Sequence, residues 1–157
     1  MADSHALCIS LDGDLGVVMT RGFQAPRERV FDAFTQPDML RRWYGPTGWT
    51  MTVCDIDLKA GGAFRFVSRR ADGRDIGQFG IYREVSRPGR IVFTECWEQW
   101  NPGETLVTHV FADDDRGTLL TTTMRFPSKA VRDTILKSGL EHSCTDLYMK
   151  LDAFFTE

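Results

Sequence analysis

The sequence predicts an α+β domain in which a curved antiparallel sheet of about seven strands wraps around a long C-terminal helix. Three observations carry this. Apolar residues recur at helical spacing early in the chain, as Val30, Phe31 and Phe34 and again as Met39, Leu40 and Trp43. From Thr50 to Phe126 the pattern becomes alternating and is cut at even intervals by turn residues. After Ser128 helical spacing returns. Evenly spaced hairpins imply an antiparallel meander, and a long amphipathic helix must bury its stripe on the one large surface available, the concave face of the sheet. The layout is β-αα-β6-α.

The elements follow in order. Residues 1–14 read as a flexible arm, because short polar residues and Gly13 break any period, and residues 15–157 as one domain. Leu15 to Phe23 forms a first strand. Pro26 sits where a helix accepts proline, in its first turn. Thr35-Gln36-Pro37-Asp38 stops that helix and starts another, which Gly45-Pro46 ends. Thr50 to Leu58 alternates, Lys59-Ala60-Gly61-Gly62 makes a turn or bulge, and Phe64 and Phe66 share the next strand face. Asp72-Gly73 is a hairpin signal before Ile76 to Val85. Turns at Arg87 to Arg90, Asn101 to Gly103 and Asp113 to Gly117 introduce Ile91–Trp97, Thr105–Ala112 and Thr118–Phe126. Ser128 caps the last helix, whose stripe is Val131, Ile135, Leu140, Cys144, Leu147 and Leu151. Gly139 costs that helix about 1 kcal/mol relative to Ala and marks a bend or a close approach.

Composition narrows the function. A 157-residue chain suits one domain with a sizeable core. With 19 Lys and Arg against 22 Asp and Glu, the net charge is −3, and no basic block stands out, so nucleic acid and membrane surfaces are not expected partners. Asp72 and Asp75 interrupt the one basic cluster, Arg65, Arg69, Arg70 and Arg74. No apolar run approaches the roughly 20 residues of a membrane helix, and the N-terminus lacks a secretory signal pattern. Cys8, Cys54, Cys96 and Cys144 are scattered, as expected of reduced thiols in the cytosol.

The chain resembles the START-like, or helix-grip (SRPBCC), superfamily, and within it the bacterial proteins named after the activator of Hsp90 ATPase (AHSA1-like). The likeness runs from about Val17 to Phe155. It rests on Ala25-Pro26 with Val30 and Phe34, Trp43 with Gly45-Pro46, and Asp57 with Gly61-Gly62. It continues through Gly80-x-Tyr82-x-Glu84-Val85 with Pro88, Thr94 with Trp97, and Thr118-x-Leu120-Thr121. Two departures stand out. Lys59 replaces the arginine frequent before the glycine pair. No tryptophan lies near Glu141 to Cys144, where relatives carry a Gly-Trp pair, a loss that would enlarge or reshape the interior.

The resemblance implies a central cavity between sheet and last helix. Its expected walls are Trp43, Trp49, Phe64, Phe66, Phe79, Ile81, Phe93, Trp97 and Met124, with Leu140, Cys144 and Leu147 from the helix. For each aromatic the alternative is plain core packing. Glu95 shares strand parity with Phe93 and Trp97. If that face is the cavity, its carboxyl pKa rises and it can orient a ligand or move a proton; if it is the outer face, it is a surface charge. His109 shares parity with Val107 and Phe111, and Tyr82 is a further candidate proton carrier. His5 and His142 form no ligand pattern, so no metal is expected. Gly61-Gly62 matches no phosphate loop, so no cofactor is expected.

Three functions compete. The leading one is binding of a small, mostly hydrophobic molecule. The second, from the chemistry of some relatives, is a cyclase, dehydratase or hydrolase using Glu95 and His109. The third is a chaperone interaction module, which the chain is not expected to be, having room for the helix-grip domain and a short arm alone. An exposed Trp100 in the Trp97-Glu98-Gln99-Trp100 run is the expected seed of a homodimer contact.

Overall fold

A computed structural model describes residues 6–157; His5 lies outside them. The chain forms strands β1 (Cys8–Asp12) and β2 (Gly16–Phe23), helices α1 (Arg27–Thr35) and α2 (Pro37–Trp43), then strands β3 (Trp49–Ile56), β4 (Ala63–Arg70), β5 (Asp75–Ser86), β6 (Arg90–Trp97), β7 (Thr105–Asp114) and β8 (Gly117–Arg125). Helices α3 (Lys129–Lys137) and α4 (Leu140–Phe155) close it. One antiparallel sheet has the order β1-β2-β8-β7-β6-β5-β4-β3.

Two expectations need correction. The sheet has eight strands rather than about seven, because part of the supposed arm pairs with β2, Cys8 opposite Thr20 through Asp12 opposite Gly16. The long last helix is two helices. Gly139 takes φ 99°, a left-handed conformation that interrupts the ladder at little cost only for glycine. Ser128 does cap α3, its side chain accepting from Val131 N at 3.1 Å.

Alternation decides the faces. β6 turns Ile91, Phe93, Glu95 and Trp97 toward the helices, and β7 turns Val107, His109 and Phe111 the same way, Phe93 opposite Val107 and Ile91 opposite His109. On β5, Gln78, Gly80 and Tyr82 face in. A bulge between Tyr82 and Glu84 then flips the parity, so that Val85 opposite Ile91 faces in and Glu84 faces out. Gly80 is required: a Cβ there would stand 1.8 Å from the Thr94 carbonyl oxygen and 2.8 Å from the Phe64 ring.

Helix α1 packs on β7 and β8, and α2 on β3 and α4. The C-terminal half of α4 is clamped. Tyr148, Leu151, Phe154 and Phe155 are buried; Asp152 accepts two bonds from Arg21 of β2, at 3.1 and 2.6 Å; Arg29 of α1 donates to Phe155 O at 2.8 Å. The N-terminal half has no buried residue at all, and its inward side chains Leu140, Cys144 and Leu147 are half-buried.

Candidate interior site

The apolar core is in two parts. One gathers around Phe23, Phe31, Trp43, Phe64, Tyr82, Phe111 and Leu151; the other around Val17, Met19, Val107, Met124 and Phe126. Phe93 and Cys144 pack against both. A polar seam accompanies them. Tyr44, just past α2, donates from its hydroxyl to Gln78 Oε1 at 2.7 Å, and Gln78 Nε2 donates to Glu95 Oε2 at 2.8 Å. On the neighbouring strands His109 Nδ1 shares a hydrogen bond of 2.8 Å with Thr122 Oγ1, and Thr122 also bonds the Tyr148 hydroxyl.

These surroundings set the charges. Burial pushes the Glu95 carboxyl up to about 7, against a smaller downward pull from the Gln78 bond. Burial alone takes His109 down to about 4, so its ring is neutral near pH 7; it stands among Phe34, Phe93 and Phe111 with ring centroids 5.1, 5.4 and 6.1 Å away. Cys144 rises to about 11, first by burial and then by the charge of Glu95. Burial also raises the hydroxyls of Tyr44, Tyr82 and Tyr148 above the ordinary tyrosine value.

Each expected site residue has a place. Glu95, Phe93 and Trp97 lie half-buried on the concave face, and His109, Tyr82, Phe64, Phe66 and Met124 lie buried on it. Opposite stand half-buried Leu140, Cys144 and Leu147. Four residues sit elsewhere. Phe79 and Ile81 belong to the outer face, Ile81 39% exposed, since they alternate with inward Gln78, Gly80 and Tyr82. They border a hollow of about 500 Å3 with Arg65, Thr94 and Cys96; another of about 490 Å3 lies beside it near Arg83, Leu106 and Arg125. Trp49 stacks with the Arg70 guanidinium, 5.6 Å from its ring, at the end of β3, and belongs to neither core cluster. Trp43 is fully buried, its Nε1 donating to Ala33 O at 2.9 Å, so it ties α2 to α1 and offers a ligand no surface.

Sequence reasoning missed Tyr44, Gln78, Thr122 and Tyr148. Gln78 shares parity with Gly80 and Tyr82, and Tyr148 follows Cys144 at helical spacing. Those signals place them on the inner faces but name no partners. Among the described residues no three His, Cys, Asp or Glu side chains are grouped to hold a metal, and no helix is long and apolar enough to cross a membrane.

Comparison with known proteins accords with this architecture. A family model described as "Activator of Hsp90 ATPase homolog 1-like protein" matches residues 24–156. The chain belongs to this family. Among solved structures, a Rhodobacter sphaeroides protein is 27% identical to this AHSA1-like chain, covering 96% of it and 97% of its own length, with TM-score 0.90. A Mycobacterium smegmatis protein is 25% identical over 96% and 98%, with TM-score 0.84. The AHSA1-like protein from Aeromonas hydrophila, 21% identical over 91% and 96% at TM-score 0.73, shares the fold. No curated protein matches the chain.

Proposed function

We propose that this AHSA1-like domain binds a small, mostly hydrophobic molecule between the concave face of the sheet and the N-terminal half of α4. One observation carries the reading. Tyr44 and Glu95 lie deep within the molecule, yet both keep accessible surface, as do Phe93 and Trp97 beside them and Leu140, Cys144 and Leu147 opposite. We read half-buried residues on two facing walls as the lining of an interior space. Its walls are apolar, with a few polar groups at one place, the usual make-up of a small-molecule site.

A catalytic reading has a single point in its favour, the Glu95 carboxyl poised near neutrality. It lacks a second group. Glu95 is bonded to Gln78, whereas His109 belongs to a separate pair with Thr122.

The test is a thermal-shift screen of apolar and amphipathic small molecules, run beside a Cys144→Phe variant. A ligand that binds the folded state raises the melting temperature. In an open interior the added ring finds room, so stability changes by less than about 1 kcal/mol while binding is lost. In a packed interior the same ring costs about 1–3 kcal/mol. That cost, with no ligand shifting the parent chain, would refute the reading.

A further inference from the structure

Glu95 is an acceptor with one of its two oxygens unmet. Two donors run toward it in series, the Tyr44 hydroxyl to Gln78 and the Gln78 amide to Glu95 Oε2. Its other oxygen, Oε1, has no hydrogen-bond partner among the described residues, and no Lys or Arg there forms an ion pair with it. The buried cation of β2, Arg21, is already held by Asp152 and the Gly22 carbonyl. A buried carboxylate without a counter-ion is costly, and a bound cation removes that cost. Aromatic rings suit the same guest. Phe93 and Trp97 flank Glu95 on its own face, and Tyr44 packs edge-on against Phe66, ring centroids 5.5 Å apart; ring faces attract ammonium groups.

We propose that the ligand of this interior is an amine on an apolar body, its ammonium group donating to Glu95 Oε1 among these aromatic rings and its body lying along Leu147, Cys144 and Leu140. This deepens the binding reading and rests on it. A plain hydrocarbon would leave Oε1 unpaired, and an anion would meet a like charge. An alcohol can donate to the carboxylate as well, but it brings no counter-charge and leaves the carboxylate without an ion-pair partner.

The groups facing Glu95 leave its titration undisturbed. From the segment after α2 comes Tyr44 and from α4 come Cys144 and Tyr148, all three neutral up to about pH 9, and the β7 residue opposite Glu95 is Thr105, which does not titrate. The amine should therefore bind best above the Glu95 titration and weaken as the pH falls through about 7. An alcohol of the same shape should respond much less.

The experiment is isothermal titration of the full chain and of Glu95→Gln with phenylbutylamine, phenylbutanol and phenylbutyrate. At about pH 8 the amine is expected to bind roughly tenfold or more tighter than the alcohol, with the acid weakest. Glu95→Gln should reduce amine affinity by about the same factor and change alcohol affinity much less. Alcohol binding as tight as the amine, or amine binding indifferent to Glu95→Gln, would overturn the amine assignment while leaving an interior ligand site standing. No binding by any of the three, with Cys144→Phe destabilised, would overturn both.

Discussion

Glu95 and His109 sit on the same face of neighbouring strands, and burial moves their titrations in opposite directions. The Glu95 carboxyl is raised from 4.5 to about 7 in the fold, so its contribution is fully present below about 4.5 and is lost as pH rises through 7. The neutral His109 ring is favoured in the fold, its pKa lowered from 6.5 to about 4, so its contribution is present above about 6.5 and is lost as pH falls through 4. Replacing Glu95 by Gln removes the first term alone. Denaturant unfolding should find Glu95→Gln more stable than the parent by about 1–3 kcal/mol at pH 8, with the difference gone near pH 4.5. A difference independent of pH would mean that Glu95 titrates as an ordinary surface group. Alternation grouped each residue with its apolar neighbours two positions away but left open which face of β6 and β7 is the inner one. On β5 the choice was equally open. Phe79 and Ile81 are as apolar as Tyr82, and no local pattern says which set faces in. Burial of Gly80 against Phe64 decides it, and that contact comes from another strand.

At the scale of elements, α4 is uneven along its length. Its last eight residues carry the buried side chains and the ties to Arg21 and Arg29, while the stretch from Leu140 to Leu147 carries neither. Local stability follows buried contacts and sheltered hydrogen bonds. Amide hydrogen exchange should therefore be faster over Leu140–Leu147 than over Tyr148–Phe155, and a bound ligand should slow the first segment more than the second. Equal protection along α4 would contradict an opening under its first half. The apolar stripe made this helix visible in the sequence, and Gly139 marked its interruption. β1 escaped notice for a physical reason: an edge strand with only Ile9 and Leu11 as large apolar residues leaves almost no pattern, and its pairing with β2 is long-range information.

At the scale of the molecule, the sheet gives two different surfaces to the outside world. The outer face bears shallow hollows rimmed by the Arg65–Glu98 and Arg83–Glu104 pairs, with exposed Ile81 and Leu106. The inner face bears the polar seam and the half-buried aromatic walls. The fold was legible because turn residues, period changes and caps all agree on one layout. The site was legible only in outline, since the bonds that wire Tyr44 to Gln78 to Glu95 join residues 34 and 17 positions apart. The two surfaces can be told apart directly by a residue-resolved NMR titration of the labelled chain with phenylbutylamine. The expected result is amide shifts confined to Gln78, Phe93 to Trp97 and Leu140 to Tyr148. Shifts centred on Ile81, Arg83, Glu104 and Leu106 with α4 unaffected, or no shifts at all, would contradict an interior ligand site.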